Sequence, residues 1–333
     1  MGLCRWTEAG RQFPYCNTLA YSAVLAFCEQ MRLSTILAGF SLLMLIADNT
    51  LSRLAILTSF APIHSLALNV AADAADVSVL IPPATGPHDY AFSPSDMAKL
   101  SHADVLIVNG VDLEKWLDKG VKSAGKKNLQ IIDSSRGIDL ISGLQIRKLA
   151  GVESEPDSDA GGPNPHIWIS PRNAITQVKN IRDGLMARDP ENAQAYRKNA
   201  DAYINRLVAL DKDIVAVTSP LANKTLITFH DTFPYFARDY GFTVAATFEQ
   251  FPGKEPSPKA IKQLRETIAS AHVVALFSEP QYSARAMQVF AREFKIPVVQ
   301  LDPMETGDGG KDFYERVMRK NLETLAAAFH GEK

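Results

Sequence analysis

The chain has 333 residues, of which 46% are hydrophobic and 22% charged, and its formal net charge at pH 7 is −2. This length allows a large core and two domains, and the near-zero charge argues against nucleic acid while remaining compatible with small cations. All three cysteines (Cys4, Cys16 and Cys28) lie in the first 30 residues, which excludes disulfides and cysteine-ligated metal sites from the rest of the chain.

The first predicted element is a secretory signal. Arg32 is followed by an uncharged apolar run over residues 36–47, and polar residues begin at Asp48. A basic start, about a dozen apolar residues and a polar end are typical of a signal peptide, and the run is too short to span a bilayer comfortably. An ordinary buried helix is the alternative. We expect residues 1–47 to be an N-terminal extension and signal peptide of a soluble, exported periplasmic protein.

Two further features of this N-terminal stretch bear on that expectation. A lipoprotein signal ending at Cys28 is disfavoured, because the bulky Phe27 stands where such signals have a small residue. Met31 as the true start is a further hypothesis, under which residues 1–30 are an upstream reading artefact.

From Leu54 onward, short apolar runs alternate with helical patterns. This order is typical of parallel sheets connected by crossover helices. Four strands are predicted in each half, which gives an α/β fold with an N-terminal lobe over residues 48–188 and a C-terminal lobe over residues 220–333. The predicted strands are residues 54–58, 77–81, 105–108 and 129–132 in the first lobe, and residues 225–229, 242–247, 273–277 and 298–301 in the second.

A long linking helix is predicted between the lobes, over residues 189–219. Its apolar positions recur in alternating steps of four and three, namely Tyr196, Ala200, Tyr203, Leu207, Leu210, Ile214 and Val217. At the rise of an α-helix it would extend about 43 Å, enough to brace both lobes. A coiled-coil partner would account for the same stripe. Because the flanking lobes are available to cover it, we expect intramolecular packing and a monomer.

The segment over residues 151–163 is acidic and has no apolar periodicity, which predicts a mobile loop. Weak collection of cations near a binding site and a solvated loop without further role both remain open for it.

Three histidines and one aspartate stand at predicted strand ends or in proline-braced turns. His88 follows the second strand after three prolines, and His166 directly follows Pro165. His230 ends the strand that starts the second lobe, and Asp302 follows its last strand. Parallel sheets bind ligands beyond the carboxyl ends of their strands. Imidazole nitrogens and a carboxylate oxygen suit a borderline divalent ion such as Zn²⁺, so we predict a metal site built from His88, His166, His230 and Asp302.

Other acids compete for the carboxylate position. Asp302 precedes a proline, where aspartate commonly caps a turn. Glu279 occupies a similar strand-end position, and we expect it to orient one of the histidines rather than bind the ion. Asp231 and Glu249 remain substitutes. His64, His102, His272 and His330 do not follow strand ends, and we expect structural or surface roles for them.

Taken together, these motifs resemble those of the metal-specific solute-binding proteins of bacterial ABC transporters, especially the periplasmic zinc-binding members. The resemblance runs from Arg53 to the C-terminus. It includes Pro87-His88-Asp89-Tyr90, Asn109-Gly110, Glu114-Lys115-Trp116, Pro165-His166-Ile167-Trp168, Phe229-His230-Asp231, Glu279-Pro280-Gln281 and Leu301-Asp302-Pro303.

The resemblance implies two (β/α) lobes joined by one rigid helix, with the metal in the cleft between them and its cargo delivered to a membrane permease. It assigns the ligands to His88, His166, His230 and Asp302. Manganese-selective relatives commonly have a glutamate where His230 stands, which favours zinc here, although Mn²⁺ remains an alternative cargo. The chain lacks the histidine-rich loop of many zinc members, so an auxiliary zinc-gathering role is in doubt.

Three functions follow as expectations. The first is a zinc-binding carrier of an ABC importer, with no enzymatic activity, whose affinity falls below about pH 6.5 as histidine protonates. The second is a manganese carrier or an adhesin of the same family. The third is a zinc-dependent hydrolase, which is disfavoured because the sequence has neither a His-Glu-x-x-His helix nor a nucleophile elbow.

Overall fold

A computed structural model describes residues 53–88, 90–126, 128–142, 162–249 and 256–329. The predicted signal segment and most of the acidic segment, up to residue 161, lie outside these ranges. Residues Arg53–Lys333 form one compact unit. None of the helices in the described ranges is long and apolar enough to cross a membrane.

The first half of this unit contains a four-stranded parallel sheet. Its strands are β1 (Leu54–Thr58), β2 (Ala75–Val79), β3 (Val105–Val108) and β4 (Gln130–Asp133), in the order β2-β1-β3-β4. Helices α1 (Ala61–Ala71), α2 (Pro94–His102) and α3 (Leu117–Ala124) connect them. Ile56 pairs with Val77 on one side and with Val105 on the other, so the most apolar strand segments form the centre of the sheet.

The second half repeats this arrangement. Strands β5 (Thr225–Thr228), β6 (Thr243–Thr247), β7 (Leu276–Ser278) and β8 (Val298–Gln300) form a parallel sheet in the order β6-β5-β7-β8. Helices α6 (Pro234–Tyr240), α7 (Pro258–Ser270), α8 (Arg285–Phe294) and α9 (Phe313–Phe329) accompany it. The predicted α/β fold with two four-stranded parallel sheets is therefore confirmed.

Strands β1 and β3 have the predicted bounds, and the other six observed strands differ from the predicted ones at one or both ends. Strand β2 begins and ends two residues before the predicted range of 77–81. Leu80 and Ile81 are buried, and their N–H groups donate to the carbonyls of Thr58 and Ser59. Both residues nevertheless lie beyond Val79, which forms the last pair of the ladder with Thr58. The apolar run thus marks burial and not the ladder itself.

Two long helices, α4 (Pro171–Arg188) and α5 (Ala193–Thr218), lie between the sheets in the chain, separated by a 3₁₀ turn at Pro190–Asn192. Helix α5 has 26 residues and packs against α1, α4 and α9. Six of the seven predicted stripe residues are buried, and Thr218 replaces Val217 as the last buried position. The predicted intramolecular packing of this stripe is confirmed.

One core joins the two halves. Buried side chains continue from Ile56 and Val105 in the first sheet, through the stripe of α5, to Leu226 and Phe277 in the second. Two smaller clusters cover the opposite faces of the sheets, one around Leu57 and the other around Phe290. Because each sheet is covered on both faces, the strand ends are the edges left for a polar site.

Candidate metal centre

The centre is formed by side chains from four distant segments. His88 lies in the loop after β2, and His230 comes two residues after β5. His166 directly precedes a 3₁₀ turn at Ile167–Ile169, and Glu305 lies in the loop after β8. His88 and Glu305 are in hydrogen-bond contact although they lie 217 positions apart in sequence. Among the described residues, this is a group whose ligand atoms all lie within 4.8 Å of one another.

The Oε1 atom of Glu305 lies at the middle of the cluster. Its distances to the Nε2 atoms of His88, His166 and His230 are 3.0, 3.3 and 3.1 Å. The Nε2 atoms of His88 and His166 are 3.0 Å apart. Three imidazole nitrogens and one carboxylate oxygen therefore converge on one small volume.

The cluster is buried on three sides. The side chains of His166, His230 and Glu305 are 5%, 2% and 0% exposed, whereas that of His88 is 22% exposed. Solvent therefore reaches the cluster at His88.

The loop of Glu305 is also bonded to the first half of the chain, because Gly307 donates its N–H to the carbonyl of Pro83 at 2.7 Å.

Two of the histidines are held through their second nitrogen. His166 Nδ1 lies 3.0 Å from Asn164 Oδ1, and His230 Nδ1 lies 2.7 Å from Glu279 Oε1. Glu279 also accepts the backbone N–H of His230 at 3.2 Å. A partner on Nδ1 fixes the ring and directs Nε2 at the centre, as is typical of metal-binding histidines. The structure thus places Glu279 where the sequence analysis expected it, behind a histidine.

Gln281 connects the two carboxylates of the site. Its amide Nε2 donates to Glu279 Oε2 at 3.0 Å and to Glu305 Oε2 at 3.3 Å. Glu305 therefore meets the three imidazoles through Oε1, while its second oxygen accepts from an amide.

Charge in the metal-free cluster is concentrated on His230 and Glu305. Burial lowers the pKa of His166 to about 3, so this ring is neutral. Burial alone would also lower the pKa of His230, but the carboxylates of Glu305 and Glu279 outweigh it and raise that pKa to about 10. Burial raises the pKa of Glu305, yet the positive charge and the hydrogen bond of His230 hold it well below its usual range. A cationic His230 is thus paired with an ionised Glu305.

The predicted fourth ligand requires a correction. Asp302 is not a member of the cluster, and the carboxylate that meets the three histidines belongs to Glu305. Asp302 Oδ1 instead accepts the backbone N–H of Met304 at 2.7 Å, which is the turn-capping role considered as its alternative. Both acids follow strand β8, and their position after the strand does not distinguish between them. Neither Asp231 nor Glu249 belongs to the cluster.

Comparison with protein families gives one match over most of the chain. A model described as ZnuA, the periplasmic component A of a zinc-uptake complex, matches residues 56–328. The zinc-binding protein AdcA of Streptococcus pyogenes is 30% identical over 286 residues, covering 82% of this chain and 55% of AdcA. This chain therefore spans about half the length of AdcA.

Two further relatives match over most of their own length. The high-affinity zinc uptake system protein ZnuA of Bacillus subtilis is 29% identical over 284 residues, which covers 84% of this chain and 88% of that protein. The solved structure of the SBP FpvC from Pseudomonas aeruginosa in complex with Mn²⁺ has a TM-score of 0.73 and 28% identity, covering 85% of this chain and all of FpvC.

Proposed function

The chain belongs to the ZnuA family of periplasmic zinc-uptake components, and we propose that it is the extracytoplasmic zinc-binding component of an ABC importer. In this role it captures one Zn²⁺ ion as cargo and delivers it to a membrane permease. The observation that supports this most directly is the convergence of three Nε2 atoms and Glu305 Oε1 within 4.8 Å of one another.

The donor set fits zinc. Zn²⁺ in proteins is commonly four-coordinate and tetrahedral, with imidazole nitrogen and carboxylate oxygen among its preferred ligands. His88, His166, His230 and Glu305 supply four such donors, and two of the rings are already oriented through Nδ1. One ligand carboxylate leaves the bound centre near a charge of +1, and Glu279 behind His230 offsets the remainder.

Manganese is the second candidate cargo, and the likeness to the Mn²⁺ complex of FpvC supports it. Mn²⁺ prefers sites rich in oxygen and with more ligands than four. Because this cluster offers three nitrogens and one carboxylate, we propose zinc as the preferred ion and manganese as a weaker competitor.

We further propose that the chain is a carrier and not a zinc-dependent hydrolase. A catalytic zinc keeps an open position for water beside three protein ligands, whereas this cluster supplies four protein donors. Glu279, an additional acid of the site, already accepts from His230. Sustained zinc-dependent hydrolysis of generic ester or phosphate substrates would contradict this proposal.

Metal analysis followed by competition tests the cargo. The protein, purified without added metal, should contain or take up one zinc per chain, and manganese should compete weakly. His166→Ala should weaken zinc binding sharply because it removes a buried ligand. His102→Ala, at an exposed histidine of α2, serves as the matched control and should leave binding unchanged. Two tightly bound ions per chain, or undiminished binding by His166→Ala, would count against the assignment.

Delivery to a permease requires a test in cells. In a strain that depends on this chain for growth in zinc-depleted medium, wild type should support growth, and so should His102→Ala. Glu305→Gln should not, although it should reach the same location in equal amount. Equal growth with Glu305→Gln would separate the physiological role from the metal site.

A further inference from the structure

Asn164 lies two residues before His166 and is 7% exposed. Its Oδ1 atom accepts the backbone N–H of His166 at 2.9 Å and lies 3.0 Å from the Nδ1 atom of the same residue. The side chain of Asn164 is therefore hydrogen-bonded to both the backbone and the ring of His166.

The other end of the same amide reaches the second half of the chain. Asn164 Nδ2 donates to the backbone carbonyl of Asp231 at 2.8 Å and to Asp231 Oδ2 at 3.1 Å. Asp231 directly follows His230, so one buried side chain joins the segments of two of the cluster's histidines. The backbone of Asn164 adds to this connection, because its carbonyl accepts the hydroxyl of Tyr235, on α6, at 2.7 Å.

The backbone groups around Asn164 determine which way its amide points. The N–H of His166 can only donate, so the atom facing it must be the amide oxygen. The carbonyl of Asp231 can only accept, so the atom facing it must be the amide nitrogen. With Oδ1 fixed beside His166, a neutral His166 ring must hold its proton on Nδ1, which leaves Nε2 unprotonated with its lone pair facing the cluster, 3.0 Å from the Nε2 atom of His88.

We propose that Asn164 is a positioning residue of this site: it fixes the ring tautomer of His166 and holds the segments of His166 and His230 in register. The proposal rests on the function proposed above. Only an amide can both accept from His166 and donate to Asp231. A carboxylate would accept from His166, as Glu279 does from His230, but it would face the carbonyl and carboxylate of Asp231 without a proton to donate. Alanine would provide neither contact.

Zinc affinity of the purified chain, measured by competition with a chelator of known affinity, tests the proposal. Asn164→Ala should weaken binding by about 10- to 100-fold, the range found when partners of metal-bound histidines are removed. Asn164→Asp should also weaken it, through loss of the donor. Asn164→Asp combined with Asp231→Asn reverses the direction of the side-chain bond and should bind zinc at least about threefold tighter than Asn164→Asp alone. Recovery should be incomplete, because the carbonyl of Asp231 still faces an acid.

A spectroscopic measurement separates positioning from general loss of structure. In the metal-free protein at pH 7, ¹⁵N shifts of His166 should indicate the tautomer with the proton on Nδ1, and Asn164→Ala should give a mixture of tautomers. Asn180→Asp is the matched control, because Asn180 donates to the carbonyls of Ser134 and Arg136 and touches no residue of the cluster. It should lower resistance to urea while leaving the zinc affinity and the His166 shifts unchanged.

Two results would overturn the inference while leaving the proposed function intact. One is an Asn164→Ala protein with wild-type zinc affinity and an unaltered His166 tautomer. The other is a double variant that binds no tighter than Asn164→Asp. A wild-type chain that fails to bind zinc would instead overturn both the inference and the function on which it rests.

Discussion

Asp302 and Met304 are joined by a short hydrogen bond, in which Asp302 Oδ1 accepts the backbone N–H of Met304 at 2.7 Å. Met304 has a φ of 62°, in the left-handed region that costs a residue with a side chain about 1–3 kcal/mol. Glu305 is the next residue. The carboxylate of Asp302 thus stabilises the turn that directs Glu305 at the three imidazoles.

This relationship predicts different outcomes for two substitutions of Asp302. Asp302→Ala removes the acceptor and should weaken zinc binding by about tenfold, because roughly one hydrogen bond to a charged group is lost. Asp302→Asn retains an oxygen that can accept from Met304 and should recover most of that loss. Chelator competition measures both. The backbone of Asp302 is held independently by the side chain of Asn321 in either variant.

If Asp302 were itself a ligand, the amide would replace a charged donor with a weak neutral one. Asp302→Asn would then lose as much affinity as Asp302→Ala, and the assignment of Glu305 in its place would be wrong.

Zinc binding should release about one proton from His230 at pH 8. The metal-free ring has a pKa raised to about 10 by the two carboxylates, so it is protonated at pH 8 and must lose a proton to coordinate. The apparent affinity should accordingly rise by about tenfold per pH unit between pH 7 and 9. The sequence predicted that zinc affinity would fall only below about pH 6.5, and that prediction applies to a histidine with an unperturbed pKa. Calorimetry in buffers of different ionisation enthalpy counts the proton.

Glu279→Gln tests whether the released proton comes from His230. Removing that charge lowers the pKa of His230, so the number of protons released at pH 8 should decrease. Glu293→Gln, at an exposed position of α8, should leave the number unchanged. Release close to zero in the wild type would contradict a cationic His230.

Gln281 should influence the choice between zinc and manganese. Its hydrogen bond to Glu305 Oε2 keeps that oxygen from becoming a second ligand, which favours four-coordinate zinc. Gln281→Ala frees the oxygen and should shift the ratio of zinc to manganese affinity toward manganese by about tenfold, the value of one charged hydrogen bond. Gln288→Ala, at an exposed glutamine of α8, is the matched control. An unchanged ratio in Gln281→Ala would remove Gln281 from the determinants of selectivity.

Trp168 should be a major source of stability. Trp168 is fully buried, and its Nε1 donates to the carbonyl of Pro303 at 2.8 Å. Its ring packs edge to face on that of Phe60, with the ring centroids 4.8 Å apart. Trp168→Phe leaves a cavity and an unpaired carbonyl, so the free energy of unfolding should fall by about 3 kcal/mol in urea titration. The half-buried Trp116 donates similarly to Pro87, and Trp116→Phe should cost less. Equal losses would show that burial does not govern the effect.

Much of the architecture could be predicted because the physics that determines it is local. Apolar runs located all eight strands, and the three-four repeat located the buried face of α5. The three histidines could be selected because each follows a strand or a proline turn. Glu305 could not be distinguished from Asp302, because the left-handed backbone at Met304 decides which acid faces the cluster. A methionine in the sequence does not predict a left-handed conformation.

The role of Asn164 was hidden for a different reason. It stands in the same motif as His166, but its meaning depends on Asp231, 67 residues away. Periodicity and turn chemistry describe neighbours in sequence, and they contain no information about which distant carbonyl will face a given amide.

His88 and Glu305 lie 217 positions apart in sequence, so the binding centre has no local precursor. A zinc finger can gather its ion from a short peptide and fold around it. Here the segment from His88 to Glu305 must close before all four donors meet, at a considerable cost in loop-closure entropy. The ion therefore cannot template the fold, and a ribosome-bound chain emerging N-terminus first gains all four donors only after Glu305 has emerged.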